Sequence, residues 1–166
     1  MMSSVEHRPA RAYVAMPMDV TLEQLPRVVG EEFERVAALL DSRGIAPRGA
    51  VIRYIAARPD GTFSIEVGHL VDPADLEGSP IAPDELPAGE YSVAHHDGPY
   101  NRIGAVTRAL MDSWAPEGIA PASAHTTTGE DYACWYELYL DLPREGEHGP
   151  EGPVEVAVLT APADAG

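Results

Sequence analysis

The chain has 166 residues, 45% of them apolar, with 27 acids against 11 basic residues and a formal net charge of −16. That length and composition fit one globular domain with a real core, and no apolar run approaches the ~20 residues of a membrane helix. All 11 basic residues are arginine and Cys134 is the single cysteine, which excludes lysine-based Schiff-base and P-loop chemistry, a disulfide framework and a Cys-rich zinc site.

So acidic a surface disfavours nucleic acid as a direct partner. The first eleven residues lack the apolar segment of a secretory signal, which points to the cytoplasm. Residues 11–18 read as a first strand, stopped near Pro17. Thr21 and Gln24 have capping-box spacing, while Pro26 fits the first position of a helix. Two starts are therefore compatible with the helix that follows. Its stripe is Val28, Val29, Phe33, Val36, Ala37, Leu39 and Leu40, and it ends at Ser42 with Gly44 as its stop. Strands are expected near 51–57 and over 62–71, joined by the turn Arg58-Pro59-Asp60-Gly61.

Residues 72–90, rich in Pro, Asp, Glu and Gly, read as a crossing linker. Residues 91–96 then form a strand. Asp97-Gly98-Pro99 opens a helix with the stripe Ile103, Val106, Leu110, Met111 and Trp114, which stops before Gly118. A weak strand is expected at 122–128, and a strong aromatic one at 134–140 that ends at Asp141-Leu142-Pro143. A last strand covers 154–160. Within 134–140, alternation puts Trp135, Glu137 and Tyr139 on one face and Cys134, Tyr136, Leu138 and Leu140 on the other. An acid between two aromatics either faces solvent or lines an aromatic-walled pocket.

The order strand, helix, Gly-Ile-Ala-Pro, hairpin occurs twice, with the tetrapeptide at 44–47 and 118–121. The chain thus divides into repeat one (about 11–71), the linker 72–90 and repeat two (about 91–160) within a single domain. Pairing the second strand of each hairpin, 62–68 with 133–139, puts Glu66 opposite Glu137. Two acids on one shared concave surface are then expected, with aromatics from the second half only.

The stretches Ser64-Ile65-Glu66-Val67-Gly68, Pro87-Ala88-Gly89-Glu90-Tyr91, His96-Asp97-Gly98-Pro99-Tyr100 and Trp135-Tyr136-Glu137-Leu138-Tyr139-Leu140 resemble the GyrI-like family of effector-binding domains. The resemblance runs from about Tyr13 to Thr160. It implies an α+β fold of duplicated β-α-β-β (SHS2-like) units. These form a central antiparallel sheet with two main helices around a cleft on a pseudo-twofold axis. It also implies a bulky, hydrophobic, often cationic small-molecule ligand, stacked on aromatics and faced by a central acid. Carried over by position, that acid is Glu137, with Trp135 and Tyr139 beside it and Tyr54, Tyr100 and Glu66 as further ligand-binding candidates. The long linker and the insert at 144–153 depart from the family pattern. About a dozen residues precede the first expected strand, too few for the helix-turn-helix of the family's regulators, so a stand-alone member is expected.

Three functions follow as expectations. The first is binding or sequestration of hydrophobic cations in drug sensing or resistance, with cation–π help from Trp135 and Tyr139. The second, implied by the resemblance, is hydrolysis of strained, cyclopropane-containing electrophiles. Glu137 would then be general base and Tyr139 the proton donor. The third is a protein-interaction role such as gyrase inhibition through the acidic surface. His95 and His96, adjacent in a strand, face opposite ways and are not a metal pair. No metal or cofactor is expected, and the oligomeric state stays open between a monomer and a weak dimer.

Overall fold

The computed structural model describes residues 2–126 and 129–160. Its strands are β1 (Met2–Arg8), β2 (Arg11–Thr21), β3 (Ala50–Ala57), β4 (Thr62–Leu70), β5 (Asp84–Leu86), β6 (Gly89–Pro99), β7 (Ser123–Thr126), β8 (Gly129–Tyr139), β9 (Arg144–Gly146) and β10 (Gly149–Leu159). The helices are α1 (Leu25–Ser42), α2 (Ile103–Asp112) and the single turn α3 (Trp114–Glu117). All strand pairs are antiparallel, in the order β1-β6-β10-β8-β3-β4-β2-β5, with β7 added to β8 and β9 to β10. The order β2-β4-β3 is answered across the centre by β8-β10-β6, so the β3–β8 seam lies on the pseudo-twofold axis of a duplicated strand-helix-strand-strand fold.

Both proposed starts of α1 are used. Thr21 N–H donates to Gln24 Oε1 (3.0 Å) and Gln24 N–H donates to Thr21 Oγ1 (3.2 Å), closing the preceding turn, while Pro26 sits in the first helical turn. Gly44 (φ 71°) and Gly118 (φ 68°) follow α1 and α3 in left-handed conformations. This is why the repeated tetrapeptide begins with glycine at the end of both helical segments.

Four expectations are corrected. A strand, β1, precedes the first one read from the sequence and pairs with β6 along its whole length. The linker 72–90 contains β5, which extends the sheet beyond β2. Asp97-Gly98-Pro99 does not open a helix. It continues β6, paired with Glu151, Gly152 and Pro153 of β10, and α2 starts after a short 3-10 turn at 100–102. Most important for the site, the hairpin of the second half is β8 with β10, not β7 with β8. The insert 144–153 is the far end of that hairpin, where β9 folds back on the start of β10. Thr127 and Thr128, the end of the expected 122–128 strand, lie outside the described residues.

Both faces of the sheet are buried. Helices α1 and α2 cover one, with Val29, Ile52, Ile65, Val67, Leu110 and Val156 in its core. On the other, the sheet curls into a half-barrel around Tyr13, Tyr91, Cys134, Tyr136 and Leu138. Strands three places apart in a flat sheet are about 14 Å from each other. Yet Arg8 of β1 donates to Tyr136 Oη on β8 (2.9 Å), and Arg53 of β3 donates to the Glu85 carbonyl on β5 (3.2 Å). Only strong curvature brings those pairs together.

Candidate functional site

The β3–β8 seam sets the site by register. Tyr54 pairs with Trp135, and Ile52 pairs with Glu137, so these four side chains share the helix-covered face. The Tyr54 and Trp135 rings stack with centroids 4.1 Å apart at 18°. Glu137 is 4% exposed. Its Oε2 accepts from Tyr54 Oη (3.0 Å) and its Oε1 from Tyr139 Oη (2.8 Å). The carboxyl is thus held by two phenols from neighbouring strands.

Helix-side residues close the site. Phe33, on the buried stripe of α1, meets Tyr139 edge-on at 5.5 Å. Tyr100, in the turn before α2, meets the same ring edge-on at 5.3 Å. Phe33 is in turn held over β4 by His69, whose ring lies 5.8 Å away and whose Nε2 is 2.9 Å from the Phe33 carbonyl oxygen. Phe63 flanks Tyr54, and Tyr132 sits edge-on to Trp135 at 4.9 Å. Two surface cavities of about 330 and 510 Å³ lie elsewhere, one lined by Arg11, Arg48 and Asp72, the other by Thr21, Gln24 and Arg27. Glu137 itself is buried beneath this aromatic cluster.

Burial pushes the Glu137 carboxyl above the ordinary carboxylate range, against the opposing pull of the hydrogen bonds from Tyr139 and Tyr54. The same burial, together with the nearby carboxylate, pushes the Tyr54 and Tyr139 phenols well above their usual value. Among the described residues no arginine or histidine pairs with Glu137. The arrangement is a desolvated acid with no cationic partner among the described residues, two phenol hydrogen-bond donors and an aromatic wall.

Trp135, Glu137, Tyr139, Tyr54 and Tyr100 are brought together. Glu66 is not. It pairs with Arg53 in the β3–β4 register, on the face inside the curl, and accepts a 2.6 Å hydrogen bond from Tyr13 Oη. The expectation of two acids on one surface fails because Glu137 belongs to a strand equivalent to β3, whereas Glu66 is on β4. The other half contributes Tyr54 and Ile52 in place of a second acid. Phe33, His69, Phe63 and Tyr132 were not singled out as site residues. Phe33 read as one apolar position in a helix stripe, and nothing local distinguishes a core phenylalanine from one that caps a site.

The remaining expectations on individual residues concern the core and the edges. Cys134 is buried and Trp114 is core, its Nε1–H donating to Ser92 Oγ (2.9 Å). His96 Nε2 lies 2.9 Å from the Pro99 carbonyl oxygen, while His95 is half exposed beside Glu6. Among the described residues no cluster of three or more His, Cys, Asp or Glu side chains could hold a metal ion, and no helix is long and apolar enough to cross a membrane.

These features define a duplicated α+β protein with an acid–aromatic site on its pseudo-twofold seam, the fold expected from the GyrI-like resemblance. Neither a family model nor a curated protein sequence matches the chain. Solved structures do match over nearly the whole length. SAV2435 bound to tetraphenylphosphonium is 13% identical, with a TM-score of 0.61 over 97% of this chain and 94% of that one. The EcmrR C-terminal domain is 15% identical, with a TM-score of 0.61 over 96% and 97%. A hydrolase from Listeria innocua is 10% identical, with a TM-score of 0.56 over 96% and 91%. At such identities the likeness establishes the fold.

Proposed function

We propose that this protein binds bulky hydrophobic cations at Glu137. The observation that carries the reading is a nearly fully buried carboxyl with two phenol donors and no positive partner among the described residues. An isolated buried carboxylate is costly, and a bound cation offsets that cost. The stacked Tyr54–Trp135 pair and the Tyr139 ring present π-faces to the same ligand. Binding of tetraphenylphosphonium by the structural neighbour SAV2435 supports the choice of probe. The test is isothermal titration with tetraphenylphosphonium. Saturable binding that Glu137→Gln abolishes or sharply weakens is expected, and equal binding by both proteins would refute the role of the acid. A role in drug sensing, sequestration or resistance follows from such binding.

A second reading rests on the direct contact between Glu137 and Tyr139 Oη at 2.8 Å. An acid whose pKa burial raises, held beside a phenol, is suited to general base and acid work on a strained electrophile. Its measure is ring opening of a cyclopropane-containing alkylator by the wild type. Persistence of turnover in Glu137→Ala would remove Glu137 from that mechanism.

A further inference from the structure

Trp135 is 8% exposed and stacked on Tyr54, yet its Nε1–H finds no hydrogen-bond acceptor among the described residues. The other tryptophan, Trp114, is equally interior, and its Nε1–H is satisfied by Ser92 Oγ at 2.9 Å. Buried polar groups are nearly always paired, and an orphan in a native interior calls for an explanation. Trp135 also lies two residues from Glu137 on the same face of β8, about 7 Å along the strand. The orphan donor and the acid therefore belong to the same face of the sheet and the same aromatic cluster.

We propose that the Trp135 Nε1–H is a ligand donor, and that the site selects hydrophobic cations carrying a hydrogen-bond acceptor, an ether or carbonyl oxygen, set apart from the positive centre. This rests on the cation-binding reading and deepens it. Glu137 takes the charge, the Tyr54 and Tyr139 rings take the apolar bulk, and Trp135 reads a polar atom about one residue pair away. A cation built only of hydrocarbon leaves the indole donor unpaired and forfeits that contact. One net buried hydrogen bond corresponds to about tenfold in affinity.

The test compares n-butyltriphenylphosphonium with its near-isostere (2-methoxyethyl)triphenylphosphonium, in which one methylene is replaced by an ether oxygen. Calorimetric titration of the wild type is expected to show about tenfold tighter binding of the ether. In Trp135→Phe the ratio of the two affinities is expected to fall to about one, whatever the change of ring does to the butyl cation alone. A measurement that needs no variant accompanies it. In the ¹⁵N-labelled wild type, the Trp135 indole N–H proton should move downfield with the ether and not with the butyl cation, with the Trp114 N–H as internal reference. Equal affinity for both cations in the wild type overturns the inference and leaves cation binding standing. So does a preference that survives Trp135→Phe, or a variant that weakens both cations equally, which would make the N–H a part of the fold. If neither cation binds, the underlying reading fails first and the inference with it.

Discussion

Replacing Glu137 by Gln keeps the shape of the side chain and removes its charge. With a ligand cation about 4 Å from the carboxylate, Coulomb attraction at an effective dielectric of ~20 is about 4 kcal/mol. Part of that is offset because burial raises the carboxyl, so that below its raised value the acid must lose a proton before it can pair with the cation. The net loss expected in Glu137→Gln is about 2–4 kcal/mol, or about 30- to 700-fold in affinity for tetraphenylphosphonium. The pH dependence carries the same logic. Because burial raises the carboxyl, binding below the raised value must release a proton. Wild-type affinity should therefore climb by up to about tenfold per pH unit and flatten once Glu137 is ionised. The Gln variant should show a flat profile. Stability runs the other way. The native acid holds its proton more tightly than the unfolded one, so wild-type stability falls as pH rises from the ordinary carboxylate range through the raised value. The Gln variant lacks that loss, and its advantage in Tm should grow from pH 4 to pH 8. Affinity within about threefold of wild type at pH 8, with an unchanged wild-type pH profile, would refute the reasoning.

Tyr139→Phe removes the donor 2.8 Å from Glu137 Oε1 and should raise the carboxyl further. The expected stability loss in urea titrations is about 1–2 kcal/mol, larger at pH 8 than at pH 5, because the lost bond serves the ionised form. Arg8→Ala strips the partner from Glu155, bonded at 2.9 Å, and from Tyr136 inside the curl. With both Arg8 and Glu155 largely buried, a loss of about 2–4 kcal/mol by chemical denaturation is expected, since the Glu155 carboxylate keeps only the half-exposed His95 ring, 3.9 Å away, in place of its hydrogen-bonded arginine. Gly68→Ala puts a Cβ against the Val14 carbonyl oxygen and 2.5 Å from Ala15 Cα. The β2–β4 pair must part there, so a loss of about 3 kcal/mol or failure to fold is expected, read from the thermal midpoint or the soluble yield.

The elements and their faces were largely legible in the sequence. The α1 stripe, the β3–β4 hairpin and the Trp135-Glu137-Tyr139 face are local properties of period and alternation. Strand pairing was not. A β-strand with both sides apolar has no outward face to mark its partner, and both sides of this sheet are buried, one under helices and one inside the curl. Hence nothing in the sequence of the last strand names its partner, which is β8, and Glu66 falls on the far face. Short edge strands were invisible for a related reason. Met2–Arg8 and Asp84–Leu86 carry little hydrophobic pattern and owe their conformation to β6 and β2. By itself, then, the sequence determined the acid between two aromatics on Trp135-Glu137-Tyr139, because alternation along one strand suffices for that. Only the tertiary structure decided what faces it. The β3–β8 register supplies Tyr54 as stacking partner and proton donor, and α1 lays Phe33 across Tyr139. Those contacts join residues 81 to 106 positions apart, and no local signal encodes a meeting made by curvature and register.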